Sequence, residues 1–194
     1  MKQSYADLFS LVTNAVLTKR TGELKKALAG GLDPDIPDLE GNNRTLLFNY
    51  NLPPFVAKVL LAAGANASHT DANGYQPLHS ANVKVAALLL AAGADIEARF
   101  HQTAGAGTPL IAHAIRGDAK MVKFLLDHGA DVLARWNNYS NDVIGAAAQS
   151  AHDPQGMGGR DRIYRLAERH IAEGLTSRRF KLRSLKDVRR GADM

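Results

Sequence analysis

Cysteine is absent from the 194 residues, which excludes thiolate nucleophiles, Cys-ligated zinc and a disulfide framework, so the fold cannot depend on oxidation. Aromatic residues are scarce, at 6%. No apolar run is long enough to cross a bilayer. The longest, Val56 to Ala63 and Val83 to Ala92, fall well short of the roughly 20 residues a spanning helix needs, and they carry Lys58 and Lys84. Met1 to Asp7 show no charged segment followed by an apolar one, so a secretory leader is not expected and the cytoplasm is the expected location. What remains, with 45% hydrophobic and 22% charged residues, is the composition of a soluble globular protein. A chain of this length buries roughly 70% of the surface it would expose unfolded, so no metal or covalent staple is required.

Charge of one sign is also missing from most of the chain. Residues 1–174 hold 17 Lys and Arg against 17 Asp and Glu. The whole net charge of +5 therefore sits in residues 175–194, where seven basic side chains stand against Asp187 and Asp193.

What the sequence does contain is a repeat, and a repeat must be found before any element is assigned. Val59-Leu60-Leu61-Ala62-Ala63-Gly64-Ala65-Asn66, Leu88-Leu89-Leu90-Ala91-Ala92-Gly93-Ala94-Asp95 and Phe124-Leu125-Leu126-Asp127-His128-Gly129-Ala130-Asp131 are versions of one phrase, with a weaker copy at Ala27 to Asp33. Each reads as the end of a helix stopped by a glycine that can take the left-handed conformation. Polar, Gly-rich fingers follow at 38–42, 71–74 and 102–107, each leading to a new helix start. Thr108-Pro109-Leu110 is the best of these, with Thr as N-cap and Pro at the first helical position. Gln76-Pro77-Leu78-His79 and Thr45-Leu46-Leu47-Phe48 are looser versions.

These residues resemble the ankyrin repeat family. Gly107-Thr108-Pro109-Leu110, then Ala114 to Gly117, then Val122 to Val132 follow the family order of a Thr-Pro-Leu-His opening, a helix ending at Gly, a Leu-rich second helix and a closing Gly-Ala-Asp. Gln76 to Ala98 follow it too, including His79, the family's structural histidine, whose ring ties neighbouring turns together. The resemblance is strong over Thr21 to Ala134, and the short units are of bacterial type. It implies an all-α solenoid of helix-turn-helix units with helical caps in one domain. The expected parts are an N-terminal cap at 1–35, three clear repeats at 36–134, a degenerate repeat with a loop insertion at 135–174 and a basic C-terminal helix at 175–194.

Spacing between the stop glycines departs from the family period of about 33. Gly31 to Gly64 is 33 residues, Gly64 to Gly93 is 29, Gly93 to Gly129 is 36 and Gly129 to Gly174 is 45. The 29-residue unit lacks about one helical turn after His79, and Pro53-Pro54 should end the preceding first helix early. Extra residues fall in the finger Arg99 to Gly107 and in His152 to Gly159, which reads as a mobile loop. At the ends, Tyr5 to Lys19 should form a cap helix with Leu8, Leu11, Val12, Ala15 and Val16 on one face. Ile163, Leu166, Ala167 and Ile171 should form another, stopped at Gly174.

Catalytic and metal chemistry finds little support. None of the seven histidines has a partner at metal-ligand spacing. No Gly-x-Ser-x-Gly is present, and Gly156-Met157-Gly158-Gly159-Arg160 follows no strand and lacks the Walker lysine. No enzyme activity, cofactor or metal is expected, nor a small-molecule substrate. The informative residues are large side chains in segments that a repeat leaves exposed: Asn49 and Tyr50 on a first helix, and Tyr75, Arg99, Phe100, His101, Arg135, Trp136, Asn138 and Tyr139 in fingers. Aromatics and Arg anchor protein interfaces because they bury much area with few rotors to freeze. Trp136 could equally seal the last core layer.

The resemblance implies binding of a protein partner on a concave face of fingers and first helices, by a chain that is monomeric when unbound. A toxin or secreted effector that this protein neutralises or chaperones is the expected partner, which would make it an immunity protein. Two readings compete. One is an adaptor that recruits an acidic protein or nucleic acid through Arg178, Arg179, Lys181, Arg183 and Lys186, although a tail with one aromatic offers bases no stacking series. The other is an enzyme built on the 152–160 loop.

Overall fold

The computed structural model describes residues 4–38, 41–102, 105–135, 143 and 157–176. Seven α-helices lie among them: α1 (Tyr5–Thr18), α2 (Gly22–Ala29), α3 (Pro54–Ala62), α4 (Val83–Ala91), α5 (Pro109–Ile115), α6 (Ala119–Asp127) and α7 (Met157–Thr176). Two three-residue extended segments, β1 (Phe100–Gln102) and β2 (Gly105–Gly107), lie in the long finger. The architecture is the expected all-α one, and among the described residues the only strands are those two in the finger. The chain divides into two compact units, residues 1–102 and 103–194.

In the first unit α1 packs on α2 and α3, and α3 packs on α4. Ser4 opens α1 with a reciprocal cap, its hydroxyl accepting from the Asp7 N–H while the Asp7 carboxylate accepts from the Ser4 N–H. Leu8, Val12 and Ala15 carry its buried face, whereas Val16, expected on that face, is exposed. In the second unit α5 packs on α6 and α6 on α7. There Leu110, Ile111, Met121, Val122, Leu125, Ile163 and Ala167 are fully buried.

The Gly-Ala phrase has a clear structural meaning. After α3, the Gly64 N–H donates to the Leu61 carbonyl and the Ala65 N–H to the Leu60 carbonyl, each at 3.0 Å, with Gly64 at φ +94°. This paired closure satisfies two end carbonyls and tucks the residue after the glycine inward, so Ala65 is buried. The same pair of bonds closes α2, α4 and α6.

Three expectations need correction. The first helices of the two middle repeats are single 3₁₀ turns, Leu46–Phe48 and Pro77–His79, so Asn49 and Tyr50 follow a turn and lie on no helix. Pro54 does more than end that element, since it occupies the first turn of α3, where a missing N–H costs nothing. Helix α7 already begins at Met157 and runs past Gly174 to Thr176, so Met157 to Arg160 of the glycine-rich run are helical and Gly174 is no stop. Gly174 is followed by Leu175-Thr176 and lacks the Ala and the Asn or Asp that follow Gly64, Gly93 and Gly129.

Candidate partner-binding surface

The fingers and turns of the first unit are joined by hydrogen bonds between residues about one repeat apart. Asn43 Nδ2 donates to the Thr70 carbonyl at 3.0 Å, His69 Nε2 meets the Asn43 carbonyl at 2.9 Å, and the Ala72 N–H donates to the Asn42 carbonyl at 2.9 Å. Arg44 Nε donates to Asp71 Oδ2 at 2.8 Å, while Asp71 Oδ1 accepts from the N–H groups of Asn73 and Tyr75 at 2.8 and 2.9 Å. Asp71 is buried, and these three donors compensate the cost of burying its charge.

A second set of bonds holds the turns. Ser80 Oγ donates to the Phe48 carbonyl at 2.9 Å, and Asn82 Nδ2 lies 3.0 Å from the Tyr50 carbonyl and 3.3 Å from that of Leu52. The same Asn82 caps α4 by accepting from the Val85 N–H at 3.1 Å. A single turn cannot satisfy its own end carbonyls, and side chains of the next repeat do so here.

His79 is fully buried at the end of its turn. Nδ1 accepts from the Gln76 N–H at 3.0 Å, which leaves the proton on Nε2 to donate to the Ala98 carbonyl at 3.1 Å. The histidine thus ties its turn to the start of the next finger.

Phe100 was expected to be exposed for docking, but it is 4% exposed. Its ring stacks on Tyr75 with centroids 4.2 Å apart and meets His79 edge-on at 5.5 Å. Extended backbone at Phe100–Gln102 turns this side chain into the core, and Tyr75 is half-buried as its partner. Of the remaining candidates, Tyr50 is 52% exposed, and Asn49, Arg99 and Arg135 are exposed. Tyr50 follows the end of its turn and Tyr75 precedes the start of the next, so the two tyrosines belong to opposite ends of the repeat. The side chain of His101 lies outside the described residues, as do Trp136, Asn138, Tyr139 and the basic residues Arg178, Arg179, Lys181, Arg183 and Lys186.

The second unit holds its own polar cluster and a basic cleft. Fully buried His113 on α5 has Nδ1 3.2 Å from Arg116 Nη2 and 3.7 Å from Asp118 Oδ2. The polar contact with His113 holds the Asp118 carboxyl below its ordinary range, aided by the Met121 N–H and opposed by burial. Between α6 and α7 lies a cleft of about 380 Å³ whose walls carry Lys120, Lys123, Arg162, Arg165 and Arg169. Lys123 pairs with Asp127 at 2.5 Å and Arg169 with Glu173 at 2.6 Å. Among the described residues Lys120, Arg162 and Arg165 form no ion pair. No group of three His, Asp or Glu side chains among the described residues is placed to hold a metal. No helix among them is long and apolar enough to cross a membrane.

The fold of the second unit carries a comparison. Residues 107–137 match the family model for the ankyrin repeat. This segment is similar to an ankyrin repeat. The match covers the Thr108 cap, α5, the Gly117 turn, α6 and the Gly129 closure. No curated protein matches the chain. Ankyrin repeats are generally protein–protein interaction modules, and the family is typically non-enzymatic.

Sequence reasoning found His79 and the glycine closures but missed Asp71. Its signal is nonetheless present, because Asp-x-Asn-Gly is the signature of a turn in which the Asp side chain accepts from the backbone two residues on. The cleft cations were hidden by the overall neutrality of residues 1–174.

Proposed function

We propose that this chain is a non-enzymatic module that docks a partner protein on the exposed surface of its fingers and turns. The observation that carries this reading is the pinned presentation of Asn49 and Tyr50. The Tyr50 ring is half in solvent while its carbonyl is held by Asn82 of the next repeat. A preordered aromatic loses little freedom on binding, which is what an interface anchor needs. Arg99 and Arg135 extend the surface within their own units, and half-buried Tyr75 belongs to it as well. Trp136, His101, Asn138 and Tyr139 belong to the same proposal from the sequence. The partner we favour is a toxin or effector that this protein neutralises or chaperones in the cytoplasm.

A photo-crosslinking residue at Tyr50 should capture the partner, and Tyr50→Ala should then weaken binding of that purified partner by about 2 kcal/mol with helicity unchanged. Capture nowhere on the finger and turn surface, or wild-type affinity in Tyr50→Ala, would refute the assignment. The α6–α7 cleft favours a second reading, in which an acidic partner is recruited at the C-terminal end. Arg162→Gln/Arg165→Gln would then abolish binding that Tyr50→Ala leaves intact.

A further inference from the structure

A second surface lies away from the fingers, on α2 and α3. Leu28, Phe55 and Val59 floor an open groove of about 800 Å³ in the first unit, and Lys19, Lys25 and Lys58 stand on its rim. Phe55 is 39% exposed, a large aromatic side chain left in water at the start of α3. Ala62 and Ala63 extend the floor and would let another backbone approach closely. Among the described residues no acidic side chain lines the groove. Glu23, the carboxylate of α2, is turned to α1, where it accepts from Asn14 Nδ2 at 2.7 Å. Lys19, Lys25 and Lys58 form no ion pair among the described residues, although residues 1–174 carry as many acids as bases.

Lys19 adds an independent observation. It ends α1 in the left-handed conformation, at φ 54° and ψ 25°, where glycine sits without penalty and a lysine is strained. Glycine fills the corresponding stop after α2, α3, α4 and α6. At this stop the chain carries a cation in place of the easier residue, and that cation is on the groove rim.

We infer that this groove docks an acidic amphipathic helix of a partner protein. Apolar side chains on one face of that helix would cover Phe55, Leu28 and Val59, and Glu or Asp along its flanks would meet Lys19, Lys25 and Lys58. This is the way a helix seats in an apolar groove, with charge at the rim fixing partner and orientation. The inference rests on the protein-docking reading but uses a different face, and it can fail alone.

The test uses the full chain and a labelled 16-residue helical peptide with Leu on one face and Glu on both flanks, beside a counterpart with Lys for every Glu. The Glu peptide should bind at least about tenfold more tightly, with affinity falling as salt rises. Lys25→Glu/Lys58→Glu should reverse the preference, and Phe55→Ala should weaken both peptides with helicity unchanged. Lys19→Gly should raise thermal stability and yet weaken the Glu peptide, a combination that a purely structural lysine does not give. Equal binding of the two peptides, or indifference to the charge reversal, would overturn the inference. So would binding to vesicles containing phosphatidylserine without binding to the peptide, or self-association abolished by Phe55→Asp, which would make a second copy the occupant. If only the groove variants prove silent while Tyr50→Ala still loses a partner, this inference alone falls. If all are silent, the docking reading falls with it.

Discussion

The turns at Leu46–Phe48 and Pro77–His79 and the helix α5 occupy the same place in successive repeats, yet they are held differently. In α5 the chain has seven residues, a Thr108 cap and an apolar Ile111 where the turn has His79. Its backbone bonds largely to itself, and its polar cluster, His113 with Arg116 and Asp118, is local in sequence. The shorter turns lack that capacity. At Leu46–Phe48 the Phe48 carbonyl is taken by Ser80 and the Tyr50 carbonyl just beyond it by Asn82, while at Pro77–His79 the neighbouring finger is tied in by His79. Shortening a first helix has therefore moved hydrogen bonding from within the repeat to the boundary between repeats. The exposed Asn49-Tyr50 segment lies where those bonds converge.

Substitutions can break this comparison, starting with the largest effect. Phe100→Ala should cost about 3–5 kcal/mol in denaturant unfolding, since it empties a packed site between Tyr75 and His79. A cost below about 1 kcal/mol would return that ring to the surface. His79→Leu strands the Gln76 N–H and the Ala98 carbonyl, for about 2–4 kcal/mol. Ile111→Val, at the equivalent place in α5, should cost only about 1 kcal/mol. Equal losses at the two positions would erase the distinction between turn and helix.

Two further variants sharpen the contrast at the second-helix caps. Asn82→Ala removes a cap and two bonds to the preceding repeat, for about 2 kcal/mol, whereas Asp118→Ala removes a cap with local partners, for about 1 kcal/mol. The smallest effect is on pH. The Asp118 carboxyl is held below the usual 3.8 in the folded chain, so its contribution is present above that value and drains away as pH falls through the lowered one. An acid-unfolding curve should shift to higher pH in Asp118→Asn, and an unshifted curve would show that the His113 contact does not matter.

Much of this was legible in the sequence because it is written in local patterns. The stop glycines followed by Ala, the Thr-Pro start at 108 and the structural His79 each announce one backbone geometry. Phe100 was misread because exposure was inferred from its position in an insertion, while its burial depends on extended backbone that brings it onto Tyr75. The single turns were only half visible. The 29-residue spacing and Pro53-Pro54 showed that residues were missing, but not that Asn82 would supply the bonds. The groove between α2 and α3 was invisible for another reason. Lys19, Lys25 and Lys58 come from separate segments that only packing brings together, and each is an ordinary surface lysine when read alone.

Amide hydrogen exchange tests the central claim most directly, by comparing the first unit's turns in the wild-type chain and in Asn82→Ala. The Asn49 and Leu52 amides, bonded to the Leu46 and Asn49 carbonyls at 3.1 and 2.9 Å, should exchange at least about tenfold faster in the variant, although residue 82 belongs to the next repeat. Unchanged protection at both amides would contradict the account, because the turn that presents Tyr50 would then hold itself.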